Sequence, residues 1–169
     1  MLKNVLIILR SEQRGFYAGI SRELVALGYK VRFAVEGHHN LEFVGQYFPE
    51  FAEDLILLRD YRKRPSVRKN LYEQARLVEE RFNVRIGSLL GEDRALGRGY
   101  LLNVDQYPFV KRSMWSGQEK VEHLIREIEQ AERIFQDHDV VLSQYPEGVQ
   151  TAVCETLRIR HFHLSQAKF

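Results

Sequence analysis

The stretch Val5-Leu6-Ile7-Ile8-Leu9, close to the N-terminus, decides the fold class of this chain. All five residues are apolar, so the stretch lacks the alternation of a strand that has one face in water. A strand that is apolar on both sides is typical of a parallel sheet covered by helices on both faces. A second stretch, 30–35, also predicts a strand, and its stronger alternation favours a place nearer an edge of the sheet.

A helical pattern separates these two strands. Its apolar residues recur at spacings of three and four, at Phe16, Ile20, Leu24 and Leu27. This is the period of one face of a helix. Gly28 follows the stripe, at the position where glycine commonly ends a helix. The order strand, helix, strand predicts a β-α-β unit with a right-handed crossover.

The rest of the chain repeats this alternation of strands and helices. Strands are predicted at 54–58, 139–142 and 160–164, and helices at 41–51, 67–83 with Ser66 as cap, from Ser116 onward, and at 149–157. The glycine-rich segment 85–99 is predicted to be irregular. We therefore expect residues 1–169 to form a single domain, a Rossmann-like three-layer α/β/α fold with a mostly parallel sheet.

The composition is that of one globular domain with balanced charge. Of 169 residues, 44% are hydrophobic and 28% are charged, and 25 Lys and Arg nearly balance 23 Asp and Glu. This balance argues against a basic surface that binds nucleic acid. No segment approaches the ~20 apolar residues of a membrane span, and the N-terminus lacks the long apolar region of a signal peptide. We expect a cytoplasmic protein, with peripheral contact at the inner membrane left open.

Disulfide and metal chemistry find no support in the sequence. Cys154 is the single cysteine, so no internal disulfide can form. It lies within a predicted helix, where packing in the core is its expected role. No spacing of Cys and His resembles a zinc site.

Functional residues are expected at one edge of the sheet. In open α/β sheets, ligands bind at the carboxyl ends of the strands, near the point where the strand order reverses. The polar loops that should share this edge are 10–15, 36–40, 59–65 and 143–148. No G-x-G-x-x-G follows the first strand, and the sequence has no G-x-x-x-x-G-K-[ST], which disfavours dinucleotide binding and a P-loop.

The first two of these loops carry candidate binding residues. Glu12 and Arg14 precede the N-terminus of a helix, which attracts anions. The alternative for this pair is a mutual ion pair in solvent. His38, next to His39, follows the second strand and is a candidate general base near neutral pH. The alternative is simple exposure in a loop.

A basic cluster follows the third strand, with Arg59, Arg62, Lys63, Arg64 and Arg68 as its members. Arginine side chains match the geometry of phosphate and carboxylate groups. Arg62 and Arg64 are therefore candidates for binding a phosphate-bearing ligand or an anionic lipid headgroup. The alternative is a solvated surface on which Asp60 is the partner.

Two later segments complete the set of candidates. Asp93 is a candidate base and Arg94 a candidate anion clamp, among glycines that permit close approach to a ligand; the alternative is an internal bridge between the two. After the strand at 139–142, Ser143 and Gly148 are candidate hydrogen-bond donors and Glu147 a candidate acceptor. The alternative for that loop is helix capping. Ser143 is not in a G-x-S-x-G elbow, so a hydrolase triad has no support.

Several stretches together carry a family resemblance. The opening strand without a glycine fingerprint, ALGYKVRFAV at 26–35 and DVVLSQYPEGVQTAVCETLRIRHFHL at 139–164 resemble the N-terminal domain of GT-B glycosyltransferases. LEFVGQYFPEF at 41–51, EERFNV at 79–84 and LGEDRALGRGY at 90–100 are similar to segments of enzymes of bacterial capsule and surface polysaccharide synthesis.

The resemblance implies two Rossmann-like domains that face each other across a cleft. The first holds the acceptor and often the base, and the second holds most contacts to the nucleotide sugar. The sequence stops just after a strand, so we expect the N-terminal half of a longer two-domain protein, inactive alone. Carried onto this sequence, the resemblance makes Glu12 with Arg14, Asp93 with Arg94, and Glu147 the site candidates, without a bound metal or other cofactor. Asp93, Glu147 and, from its own chemistry, His38 are the catalytic candidates. Expected partners are a nucleotide sugar and a saccharide acceptor. The alternative is a non-catalytic, flavodoxin-like ligand-binding or regulatory module.

Overall fold

A computed structural model describes residues 3–9, 14–36, 38–59, 64–92, 96, 115–143 and 147–163. The strands in these ranges are β1 (Asn4–Leu9), β2 (Lys30–Glu36), β3 (Ile56–Arg59), β4 (Val140–Ser143) and β5 (Arg160–His163). The α-helices are α1 (Arg14–Ala26), α2 (His38–Tyr47), α3 (Leu71–Phe82), α4 (Ile86–Glu92), α5 (Gly117–Phe135) and α6 (Gly148–Leu157). A 3-10 helix, Pro49–Asp54, leads into β3.

Within the described residues, the strands form one parallel sheet in the order β3-β2-β1-β4-β5. The predicted Rossmann-like α/β/α architecture is confirmed. The register places Ile7 between Phe33 of β2 and Leu142 of β4. β2 lies between β1 and the edge strand β3, so it is nearer an edge than the central β1, as its alternation predicted. Its Lys30 and Arg32 give it an alternating appearance, although neighbours cover both of its sides.

The sheet divides the core into two apolar clusters. One cluster contains Val5, Ile7 and Leu9 of β1 and is covered by α1 and α2. The other contains Leu6 and Ile8 and is covered by α3, α4, α5 and α6. This alternation follows from the period of two along a strand. It explains why β1 is apolar throughout.

Helix α1 is rotated from the face that its apolar stripe predicted, although Leu24 of that stripe packs against the core. Tyr17 and Ser21 are fully buried, whereas Phe16 and Leu27 are 57% and 73% exposed. The predicted stripe is therefore rotated by about one residue, or ~100°, from the face that packs on the sheet. Tyr17 provides the larger buried surface, and Phe16 contacts its ring edge-on, with centroids 5.9 Å apart.

Local capping signals explain where several helices end or begin. Gly28 has a φ of 85°, and the N–H groups of Gly28 and Tyr29 donate to Val25 and Leu24, which closes α1 as predicted. Ser116 is the N-cap of α5, which begins where predicted, and with Glu119 it forms a reciprocal capping box.

Two local predictions around α3 and α4 were wrong. Helix α3 begins after Asn70, so Ser66 does not cap it. The segment 85–99, predicted to be irregular, contains α4. Ile86 and Leu89, three residues apart, both insert into the core. This anchoring outweighs the low helix propensity of the glycines in α4.

In the part of the chain that the structure describes, no helix is both long and apolar enough to cross a membrane.

Candidate functional site

The strand order reverses between β1 and β4, and the carboxyl ends of these strands form the candidate site. β1 is followed in sequence by β2 on one side, whereas its other neighbour, β4, comes much later in the chain. A crevice opens at such a point in doubly wound folds. Ser143 ends β4, and Glu147 and Gly148 begin α6 directly beyond it. The structure thus brings three of the predicted site residues to this edge.

Ser143 is hydrogen-bonded to a histidine of the neighbouring strand. Its Oγ lies 2.8 Å from Nε2 of His161 in β5, and Ser143 itself is 1% exposed. Burial and the nearby His163, whose ring centroid is 4.6 Å away, lower the pKa of His161 to about 4. At neutral pH this imidazole is therefore uncharged, so it offers one hydrogen-bond donor and one acceptor.

The first turn of α6 contains a buried amide whose oxygen is unsatisfied. Glu147 is the N-cap residue, but its side chain makes no capping hydrogen bond to the helix. Its carboxylate instead accepts a hydrogen bond of 2.9 Å from Nε2 of Gln150. Gln150 is 2% exposed, and its Oε1 has no hydrogen-bond partner in the described structure. The amide therefore retains acceptor capacity beside the Glu147 carboxylate.

Gly148 fits this position because α4 packs tightly against the start of α6. A Cβ atom on Gly148 would lie 2.6 Å from Cδ2 of Leu89 and closer still to Oε2 of Glu92. The carboxylate of Glu92 thus lies at the positively polarised end of α6. Two carboxylates, of Glu92 and Glu147, therefore flank this helix N-terminus.

The basic cluster after β3 is tied to α5 through ion pairs. Arg64 Nη2 lies 2.8 Å from Oε2 of Glu119. The hydrogen bond from Arg64, followed by the Ser116 backbone N–H, lowers the pKa of Glu119 to about 2. The partner of Arg64 is thus a carboxylate of α5. Asp60, the partner expected from the sequence, lies outside the described residues.

Arg68 joins a second, partly buried part of this network. Its guanidinium binds Glu129 and the fully buried Glu122. Glu122 also accepts from Nε of Arg126 and from the backbone N–H of Arg68. Burial opposes ionisation of Glu122, but the hydrogen bonds from Arg68 and Arg126 outweigh it and hold the pKa of the carboxyl below its usual value. These contacts fix residues 64–68 against α5.

The other predicted site residues are placed only in part. Arg14 is the first residue of α1. His38 is the first residue of α2, so the prediction that it lies in a loop was wrong. The predicted residues Glu12, Arg62, Asp93 and Arg94 lie outside the described ranges, and their roles stay predictions.

Two residues of the site were not among the sequence-based candidates. His161 and Gln150 are polar groups in segments that the sequence analysis treated only as a strand and a helix. The alternation His161-Phe162-His163 is a signal for His161, because it places both imidazoles on one face of β5. Gln150 had no such signal, since its burial depends on how α6 packs.

The described residues hold no metal cluster, and the single cysteine is inert. Among the described residues, no three His, Cys, Asp or Glu side chains converge in a way that would hold a metal ion. Cys154 is buried in the core, as predicted, and burial raises the pKa of its thiol to about 12. This thiol is therefore protonated and unreactive at neutral pH.

Comparison of the chain with protein-family models, with curated proteins and with solved structures finds no match.

Proposed function

We propose that this chain is the N-terminal, acceptor-side domain of a glycosyltransferase, which moves a sugar from a nucleotide sugar to a surface-polysaccharide acceptor. The observation that carries the proposal is the reversal of strand order between β1 and β4. At that edge the half-buried Glu147 carboxylate lies beside the buried amide of Gln150, and the buried Ser143 hydroxyl is bonded to His161. Such a set of acceptors and donors suits the hydroxyl groups of a saccharide.

The strand order supports this proposal over its alternative. A flavodoxin-like module has the order 2-1-3-4-5, whereas the order here is 3-2-1-4-5, that of dinucleotide-binding Rossmann sheets. The strand order therefore disfavours a flavodoxin-like module. A fold alone does not determine a function, so the chemistry of the edge carries the remaining argument.

In the proposed reaction, an acceptor hydroxyl attacks the anomeric carbon of the nucleotide sugar. Glu147 is the described candidate for the group that takes the proton, because its carboxylate is held by Gln150 at the edge of the sheet. Asp93 and His38 remain the other candidates. Arginines such as Arg14 and Arg94 would stabilise the departing phosphate. The nucleotide-sugar donor would bind mainly to a second domain.

The proposal includes a cellular location. We propose that the protein works in the cytoplasm and contacts the inner membrane peripherally. The basic cluster after β3 supports such contact, although Arg64 and Arg68 are already paired with α5.

A thermal-shift measurement with the 169-residue chain tests this function. The ligands are neutral di- and trisaccharides, nucleotide sugars, free nucleotides and a flavin. Neutral saccharides should raise the melting temperature, because a ligand at 100 times its Kd stabilises the native state by about 2.7 kcal/mol. For a domain of this size, that is a shift of roughly 5–10 °C.

Glu147→Gln should abolish this shift and leave the melting temperature without ligand nearly unchanged. Glu73→Gln, at an exposed position of α3 far from the sheet edge in sequence, is the matched control and should keep the shift. A shift with the flavin or a free nucleotide, and none with saccharides, would refute the proposal.

A further inference from the structure

A groove lies between α4 and α6, on the outer side of the helical layer. Its volume is about 390 Å³, within the range of pockets that bind small molecules. One wall is a single face of α6, formed by residues at helical spacing, namely Gly148, Thr151, Ala152 and Glu155. The other wall is formed by α4 and the turn before it. The groove thus begins at the edge of the sheet and extends away from it along α6.

Polar side chains along this groove have unused hydrogen-bonding capacity. None of them has a hydrogen-bond or ion-pair partner among the described residues; they are Asn83, Ser88, Glu92, Thr151 and Glu155. Together they supply an amide, two hydroxyls and two carboxylates. An open concavity with several such groups can satisfy a ligand that has many hydroxyls.

Another surface of the helical layer shows a different pattern. Along the contact of α5 with α3 and the segment before it, the carboxylates are matched by arginines, in the pairs Glu119–Arg64, Glu122–Arg68, Glu129–Arg68 and Glu132–Arg81. Helix packing there uses its charged groups internally. Among the described residues, the amide, hydroxyls and carboxylates of the groove are not paired in this way.

The charge of the groove restricts the ligand class. Glu92 and Glu155 contribute two negative charges. Arg85 also lines the groove, and Glu79, 3.5 Å from its guanidinium, offsets its positive charge. Phosphate or carboxylate ligands would meet carboxylates of the same sign. The floor is apolar, because Phe82, Leu89 and Ala152 are each at least nine-tenths buried.

We infer that the α4–α6 groove is a binding site for a neutral saccharide. The carboxylates and the Asn83 amide accept from sugar hydroxyls, the hydroxyls of Ser88 and Thr151 complete the ring of polar contacts, and the C–H face of the sugar covers the apolar floor. This site adjoins the sheet edge at β1 and β4, with which it shares Gly148 and Glu92, and does not rest on the proposed glycosyl transfer. It would hold a saccharide along α6 independently of any catalysis by the protein.

Amide chemical-shift mapping of the ¹⁵N-labelled chain tests the inference. The probes are neutral trisaccharides of glucose, galactose, mannose and N-acetylglucosamine, with glucose 1-phosphate and glucuronate as anionic probes. A neutral trisaccharide should shift the amides of Ser88, Thr151 and Glu155. The double variant Thr151→Val with Glu155→Gln should weaken this binding at least tenfold, because the Thr151 hydroxyl is lost and the Glu155 carboxylate becomes a neutral amide, a weaker acceptor, without a change of shape.

The control and the outcomes separate this inference from the proposed function. Glu73→Gln should bind as the unchanged chain does. Shifts confined to Ser143 and His161, removed by Glu147→Gln but not by the double variant, would overturn the groove and leave the proposed function standing. Shifts confined to Ser88, Thr151 and Glu155 would support the groove and count against the proposed function. Preference for the anionic probes, or no response to any neutral trisaccharide, would also overturn the inference.

Discussion

Removing the charge of Glu122 should strongly destabilise the fold. This carboxylate is fully buried and accepts from the backbone and guanidinium of Arg68 and from Arg126. In Glu122→Gln, an amide NH₂ group would face these donors, and two cationic groups would lose their anion. Breaking a buried pair costs about 3–5 kcal/mol. Arg126 is half exposed to water and Arg68 keeps its contact with Glu129, so solvation and that ion pair offset part of the lost free energy. We expect a loss of about 2–4 kcal/mol.

Urea unfolding measures this loss. The fluorescence of Trp115, the single tryptophan and a buried residue, reports the transition. The midpoint should fall while the slope stays constant. Glu129→Gln is the matched control, because Glu129 binds the same Arg68 but is 45% exposed; it should cost less than about 1 kcal/mol. Equal losses in the two variants, or a loss below 1 kcal/mol in Glu122→Gln, would refute the reasoning.

Two further predictions concern the edge of the sheet. The pKa of His161 is about 4 in the fold against 6.5 ordinarily, so the unfolded chain binds more protons in this window. The free energy of unfolding should be highest above about pH 6.5 and fall by up to ~3 kcal/mol as the pH drops toward 4. Urea titrations at several pH values measure this dependence, and His161→Gln should flatten it. The same pH dependence in the variant would contradict the prediction. Gly148→Ala should destabilise by about 1 kcal/mol, because the buried Leu89 cannot yield to the new Cβ. Gly87→Ala in α4 is the control, because its Cβ would meet nothing within 4 Å, and it should be neutral or stabilising. Thermal melts measure both variants, and equal changes of melting temperature would exclude the packing argument.

Local patterns predicted much of the architecture. The apolar run of β1, the glycine that closes α1 and the Ser116 cap of α5 depend on residues that are close in sequence, and all three are confirmed. The rotation of α1 was missed because Phe16 and Tyr17 are both large and aromatic. Only contact with the sheet decides which of them is buried.

The candidate site was less accessible from sequence because its contacts are distant along the chain. Ser143 and His161 are 18 positions apart, and Arg68 and Glu122 are 54 apart. Neither pair has a spacing rule that would have joined them. The nearest carboxylate to the basic cluster, Asp60, was the natural candidate from sequence. The structure instead shows how packing of α5 brings Glu119, Glu122 and Glu129 to Arg64 and Arg68.

The division of the core by the sheet has a consequence for how this sequence can diverge. Ile7 and Ile8 are joined by one peptide bond, yet they belong to different apolar clusters. Residues without shared partners respond to substitution nearly additively. A smaller residue at Ile8 would therefore be compensated within the α3–α6 layer, for example near Leu124, and not at Ile7. In a lineage of such proteins, covariation would connect positions across the helical layer and pass over immediate neighbours in β1.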